Sequence, residues 1–300
     1  MQARVLSIVS HHENQDSSPF PDAAPQSNFY NLSPSSTSEI PGTMKVKRTF
    51  FAALCSLAII GSVIAVDNPA PTIHPEAGRI LRQSSDRLAT AKTVSFHAEV
   101  WEDSVVETHK VSATSTVDVR LRRPDKFQIE VHSPTRSRGY WYDGHTLTLF
   151  DRTKNLYSTV TLPGTIDKAI DAAKKQYDIN IPLGDFLVND PFTSAMGGTK
   201  GGANFGQAAI LGTPCQHIAF NNDQLDWQLW IATDAQELPR KLVITYKQEP
   251  LQPQVLTLFN NWKLNEDMPD SIFVFTPPKG AAKIEMLPAS APNNRPPSNP

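Results

Sequence analysis

Apolar residues follow two rhythms along this chain. Over residues 75–91 the rhythm is helical: Ile80, Leu81, Leu88 and Ala91 recur between Arg79, Arg82, Asp86 and Arg87, and Pro75-Glu76 suits a first helical turn. One amphipathic helix is predicted there. From Val94 onward the rhythm is two. Val94, Phe96, Ala98 and Val100 alternate with their neighbours, residues 111–121 are rich in Val and Thr, and Phe127, Ile129 and Val131 alternate with Gln128, Glu130 and His132. Asp143-Gly144 then predicts a two-residue hairpin turn, with Tyr142 opposite His145 and Tyr140 opposite Leu147. That pairing sets Tyr140, Tyr142, Leu147 and Leu149 on one apolar face. A turn over 151–155 leads into another strand over 156–162.

The alternation breaks at 165–177, where Ile166, Ala169, Ile170 and Ala173 return to helical spacing behind Thr165, a good N-cap. A short helix is expected over 183–188 and a flexible glycine-rich loop over 197–206. Strand patterns resume over 208–211, 216–220, 226–232, 241–247 and 255–262, and a last short strand is expected over 273–275. The fold class that follows is mainly β with α. About eleven antiparallel strands form an incomplete barrel, curled around a long N-terminal helix and a short helical insertion.

Composition changes the picture at both ends. Residues 1–43 are rich in Ser, Pro, Asn and Gln without apolar periodicity, and read as a disordered extension. Lys45, Lys47 and Arg48 then precede sixteen uncharged residues, 50–65, which end in Val63-Ile64-Ala65. This is the layout of a secretory signal peptide over 44–65, and it is short for a membrane span of ~20 residues. The simplest account of the extension is translation beginning at Met44. Cys55 lies inside the apolar run, so a lipoprotein signal is not expected, and the chain is expected in the periplasm as a soluble exported protein. A domain is expected over 66–285 and a disordered Pro-rich tail over 286–300. With 28 basic and 30 acidic residues the net charge is −2, which excludes binding to nucleic acid by charge alone.

The order of elements resembles a known family. A signal peptide and a long helix precede a meander carrying Arg123-Pro124-Asp125-Lys126-Phe127 and Tyr142-Asp143-Gly144-His145-Thr146-Leu147. This is similar to the periplasmic lipoprotein-carrier superfamily of LolA/LolB type. Leu238-Pro239-Arg240-Lys241-Leu242-Val243-Ile244 and Phe273-Val274-Phe275-Thr276-Pro277-Pro278 resemble a branch of predicted periplasmic proteins with that fold. The resemblance covers about 75–285 and its motifs are turns and strand ends. It implies a half-barrel with a helical lid over an apolar cavity, which in the carriers holds lipoprotein acyl chains. The carriers also use a basic residue to hold that site closed, and none of Arg120, Arg122 and Arg123 is matched to it by sequence.

From this resemblance and the apolar strand faces, the expected function is binding or carrying a lipid or acyl chain in the barrel cavity, without catalysis. The alternative is a protein-interaction or envelope-sensing module with a filled core. Cavity candidates are Phe127, Ile129, Tyr140, Tyr142, Leu147, Leu149, Trp227 and Leu229. Partners would be such a ligand or an envelope protein, with at most peripheral membrane contact. No cofactor, metal or catalytic residue is expected. The histidines lack metal spacing. Cys215 and His217 share a strand face but lie ~6.5–7 Å apart along it. Asp143 next to His145 is explained by the turn. Gly197-Gly198-Thr199-Lys200-Gly201-Gly202 lacks phosphate-loop spacing. Arg120, Arg122, Arg123 and Lys126 are expected at a solvated strand edge, with Arg136 and Arg138 as a second basic group, and the alternative for both is contact with anionic lipid headgroups or a partner membrane. Trp227 and Trp230, three apart on a strand, face opposite sides, one of them toward the core and one toward the rim or surface.

Overall fold

The computed structural model describes residues 72–289. The expected extension and signal segment lie outside the described residues, as does the end of the tail. Helix α1 spans Pro75–Thr90. His74 caps it by accepting from the amide of Glu76 at 3.3 Å, and it buries Ala77, Ile80, Leu81, Ser84, Ser85 and Leu88, one stripe at helical spacing.

Six strands follow as a meander: β1 Thr93–Val106, β2 His109–Arg122, β3 Lys126–His132, β4 Ser137–Tyr142, β5 Thr146–Asp151 and β6 Leu156–Thr161. A helical segment comes next, with α2 Ile166–Tyr177, a 3-10 turn Gly184–Phe186 and α3 Pro191–Met196. The second meander is β7 Gly201–Ile210, β8 Thr213–Asn221, β9 Leu225–Ala232, β10 Pro239–Tyr246 and β11 Gln254–Leu264, and β12 Ala282–Lys283 closes the described chain. One sheet holds all twelve in the order β12-β6-β5-β4-β3-β2-β1-β11-β10-β9-β8-β7. Pairing of β1 with β11 fuses the two meanders. Every pair is antiparallel except β12 on β6.

A sheet this wide coils under its own twist. The consequence is a single buried cluster that draws on β1 to β6 and β8 to β11 together with α1 and the helical segment. The architecture is therefore the expected one, mainly β, an incomplete antiparallel barrel curled around helices.

Four local expectations differ. Tyr142 pairs with Leu147 and Tyr140 with Leu149, so the hairpin turns on Gly144 and His145 rather than on Asp143 and Gly144. Gly144 takes the positive φ of 104°, and the Asp143 carboxylate accepts from the amides of His145 and Thr146 at 2.9 and 2.8 Å. Those side-chain bonds favour the turn shifted by one residue. The pairing moves by two residues, so the four apolar side chains keep their common face. Residues 201–206 are strand, not flexible loop. A Cβ on Gly202 would fall 2.5 Å from the Phe220 ring, and the Gly202 main chain bonds to Thr72 and His74, so this glycine serves close approach. Residues 183–188 hold only one 3-10 turn. Phe273 ends another, Asp270–Phe273, and residues 273–275 form no ladder.

Candidate functional site

The strand alternation sets one apolar face toward the interior of the curl. Seven of the eight cavity candidates, Phe127, Ile129, Tyr140, Tyr142, Leu147, Trp227 and Leu229, belong to its buried cluster, and half-buried Leu149 packs against it. They do not share one space. Tyr140 borders a cavity at the β2–β3–β4 end, while Trp227 and Leu229 border a smaller one under α1 and the helical segment. Of the other five, Phe127, Ile129, Tyr142 and Leu147 are covered by neighbouring side chains and Leu149 is covered in part. Phe127 and Tyr142 stack with centroids 5.4 Å apart, and the Tyr142 hydroxyl donates to the Pro163 carbonyl. Burial, then the carboxylates of Asp125 and Asp143, push the Tyr142 phenol up to about 12.

The cover over this face is α1 with the segment between β6 and β7. Arg123 joins the two. Its Nη1 donates to the Leu187 carbonyl at 2.9 Å and to Asn189 Oδ1 at 3.0 Å, and its Nη2 donates to the Leu88 carbonyl at 3.3 Å. Burial pulls this guanidinium below its usual range, opposed by the charge of Asp167. Asn189 in turn donates to Asp167 on α2. Asp190 caps α3 by accepting from Thr193 at 3.0 Å. The expectation of a solvated basic edge is corrected here, because β2 is paired on both sides. Arg120 donates to Gln128 at 2.7 Å, Arg122 to the Met268 carbonyl at 2.8 Å and to Asp270, and Lys126 to the Asp143 carbonyl at 2.9 Å. Arg120 thus ties β2 to β3, and Arg122 and Lys126 tie loops to the sheet.

At the mouth, where β2, β3 and β4 reach the 133–136 turn, a cavity of about 110 Å³ opens beneath Asn180 and Pro182. Its floor is Val117, Val131 and Tyr140, and its rim carries Arg136 and Arg138. Arg138 lies 3.8 Å from the buried Asp151 carboxylate. Sequence reasoning reads Arg136 and Arg138 as a basic strand edge, either solvated or in contact with anionic headgroups or a partner membrane. The sign that was there to read is parity: Arg138, Tyr140 and Tyr142 are alternate residues of one strand and share a face. The space under α1 is about 40 Å³. A third, about 170 Å³, lies at the other end of the strands among Arg79, Gln83, Gln216 and Glu237.

The remaining reactive groups stand apart from this face. Cys215, Trp230 and Val243 form a small buried cluster on the outer side of β8 to β10. The Cys215 thiol donates to the Thr213 carbonyl at 3.3 Å, and burial pushes its pKa up. His217 shares a hydrogen bond of 3.0 Å with Gln228 and stacks on Trp230 at 4.1 Å. A nucleophile needs a thiolate beside its base, and neither condition is met. Trp227 and Trp230 do face opposite sides, but Trp230 is buried under His217 and Lys241 rather than exposed at a rim. Burial acts to raise the Asp143 carboxyl, and the bonds from Thr146 and His145 outweigh it and hold it below its usual range. Among the described residues no cluster of His, Cys, Asp and Glu is arranged to hold a metal ion, and no helix is long and apolar enough to cross a membrane.

A family model described as a predicted periplasmic protein (DUF2092) matches residues 77–287. No curated protein matches the sequence. Among solved structures the chain is similar to LprF from Mycobacterium bovis, at 16% identity over 71% of this chain and 100% of that one, with a TM-score of 0.40. It is similar to the lipoprotein LppX of Mycobacterium tuberculosis at 13% identity over 65% and 98%, with a TM-score of 0.33. A LolA superfamily protein from Nitrosomonas europaea is similar at 12% identity over 66% and 97%, with a TM-score of 0.33.

Proposed function

The chain belongs to the DUF2092 family of predicted periplasmic proteins, and we propose that in the periplasm it binds a lipid or acyl chain on the concave face of its open sheet. Export through the segment 44–65 is part of this proposal. The observation that carries it is how the sheet ends. β6 and β7 follow each other in the chain but are not paired, and the residues between them supply the helical cover of the apolar face. A ladder of main-chain bonds would hold that face shut. A cover held by side-chain packing and a few polar ties can shift as a unit. Its movement would bare Phe127, Ile129, Tyr142 and Leu147. Burial supplies ~0.8 kcal/mol per methylene. A chain of about 14 carbons then gains roughly 11 kcal/mol on full burial, which lies within the range of roughly 4–15 kcal/mol that association costs and exceeds its lower part.

One observation favours a second reading. The three spaces, about 110, 40 and 170 Å³, fall below the ~300 Å³ at which ligand clefts begin. If the closed form is the working form, the filled core presents its surface to another envelope protein instead.

Lipid extraction separates the two. Residues 66–300, purified natively from a bacterial periplasm, should release a stoichiometric acylated species on solvent extraction and mass spectrometry, and Tyr142→Asp should carry less of it. A blank equal to the mock purification, with no thermal stabilisation by added fatty acid or phospholipid, would sink the lipid reading and leave the partner reading standing.

A further inference from the structure

We propose that the space under α1 seats an uncharged oxygen, an ester carbonyl or a hydroxyl, at the polar end of the acyl ligand, with the Ser84 hydroxyl as its partner. This rests on the binding reading above and gives the ligand class as an uncharged acyl ester or alcohol.

The buried stripe of α1 is apolar at Ala77, Ile80, Leu81 and Leu88 but carries Ser84 and Ser85 at its centre. Ser84 is 2% exposed, and its Oγ has no hydrogen-bond partner among the described residues. A serine inside a helix has a local remedy, donating to a carbonyl one turn back. Thr90 uses it on this same helix, donating to the Asp86 carbonyl at 2.7 Å, and Ser84 does not. An alanine would suit the helix better and would bury no unpaired hydroxyl. A core that only had to be filled gains nothing from this serine, whereas a ligand oxygen would complete its bonding.

Ser84 borders the space in which three parts of the fold meet. α1 supplies Ser84 and Ser85 to its wall, the helical segment Asp185 and Phe186, and the sheet Trp227 and Leu229. Asp185 is engaged, accepting from the Ser194 hydroxyl at 3.2 Å. No Lys, Arg or His is among the described residues that line the space, so an anionic head finds no cation there and its charge is costly to bury. At about 40 Å³ the space admits a polar group of a few heavy atoms, not a chain. The chain would continue along the inward rows of β9 and β10, where Leu229 stands opposite Leu242 and Trp227 opposite Ile244, all of them buried. Access follows the joint between α1 and α3. Arg82 lies over the Phe192 ring at 3.4 Å and 3.8 Å from the Asp190 carboxylate. Arg82 and Asp190 are exposed, and exposed ion pairs hold weakly. Pro191, between Asp190 and Phe192, walls the space itself, so opening this joint uncovers it.

The test titrates residues 66–300, purified as above, with 1-dodecanol, methyl dodecanoate and dodecyl phosphate, each below its aggregation concentration, by isothermal calorimetry. The two uncharged probes should bind about fivefold or more tighter than dodecyl phosphate, which is held by its chain alone. Ser84→Ala should weaken an uncharged probe by about fivefold and leave dodecyl phosphate unchanged. It should also raise the unfolding midpoint of the free chain by roughly 2–4 °C, because an unpaired buried hydroxyl is removed. A loss confined to methyl dodecanoate would assign the site to a carbonyl, and one confined to dodecanol to a hydroxyl. Uncharged probes bound equally well by Ser84→Ala would overturn the site, a water being enough for the serine, and leave the lipid reading intact. A lowered unfolding midpoint would overturn it too, since Ser84 would already be paired in the free chain. Tighter binding of dodecyl phosphate than of both uncharged probes would overturn the uncharged class. Binding of none of the three would overturn the site and the lipid reading together.

Discussion

The Tyr142 ring packs on Phe127, and its hydroxyl donates to the carbonyl of Pro163, where β6 gives way to the helical cover. Its phenol is pushed up to about 12, whereas an unfolded tyrosine releases its proton near 10 (~10). Between these values the folded chain holds more protons than the unfolded one, so this contribution to stability is full below pH ~10 and is lost as pH rises toward 12. Tyr142→Phe lacks it. At pH 8 the variant should be less stable by about 1 kcal/mol for the missing hydrogen bond. In urea titrations its deficit against wild type should shrink above pH ~10. Cys215 gives the opposite kind of prediction. Its thiol is buried on the outer side, so a thiol reagent should label it only in denaturant. Cys215→Ala should leave ligand uptake unchanged, at a stability cost of about 1 kcal/mol. At this scale the sequence was legible wherever parity was enough. Arg138 was open to the same reasoning, because its position on the inward face follows from Tyr140 and Tyr142. Arg123 was not, because its partners at Leu88, Leu187 and Asn189 lie 35, 64 and 66 residues away.

Among the elements, the helical cover is the one on whose attachment the proposed binding depends. Arg123 donates to both of its parts from the end of β2. Arg123→Ala should cost about 2–3 kcal/mol and should speed amide exchange over 183–196 while leaving β9 to β11 unchanged. Arg123→Lys should recover little of this, because an ammonium cannot span the two carbonyls as a fork does. Uniformly faster exchange would mean that Arg123 supports the whole sheet rather than the cover. Helices α1 and α2 were legible from apolar spacing, and their caps, His74 and Thr165, hold them where the sequence indicates. The β4–β5 turn was harder. Asp143-Gly144 favours a tight turn locally, and the Asp143 carboxylate bonding to two amides ahead shifts the turn by one residue. The glycines at 201–206 mislead for a related reason. Locally they signal freedom, but Gly202 lies against Phe220 and the chain ahead of α1, and that contact makes them strand.

For the molecule as a whole, the proposed movement of the cover over an open sheet makes ligand and stability linked quantities. A ligand that binds only the folded chain stabilises it by about 2.7 kcal/mol at a hundredfold excess over its Kd. Dodecyl phosphate should therefore raise the unfolding free energy of residues 66–300 progressively with its concentration. It should also change exchange over 162–200 more than in β1, which is paired on both sides. Stabilisation without any change at the cover would place the ligand elsewhere. By itself, the sequence determined the element order, the strand faces and the mainly β class, because alternation and helical spacing are local properties of neighbouring residues. The expectation of export, too, comes from a contiguous run, residues 44–65. Only the tertiary structure decided that β1 joins β11, that β6 and β7 stay apart, that Arg123 spans the cover, and that two arginines gather over one apolar floor. Each of these depends on residues brought together from distant parts of the chain, and the curl of the sheet that brings them together is a property of all its strands at once.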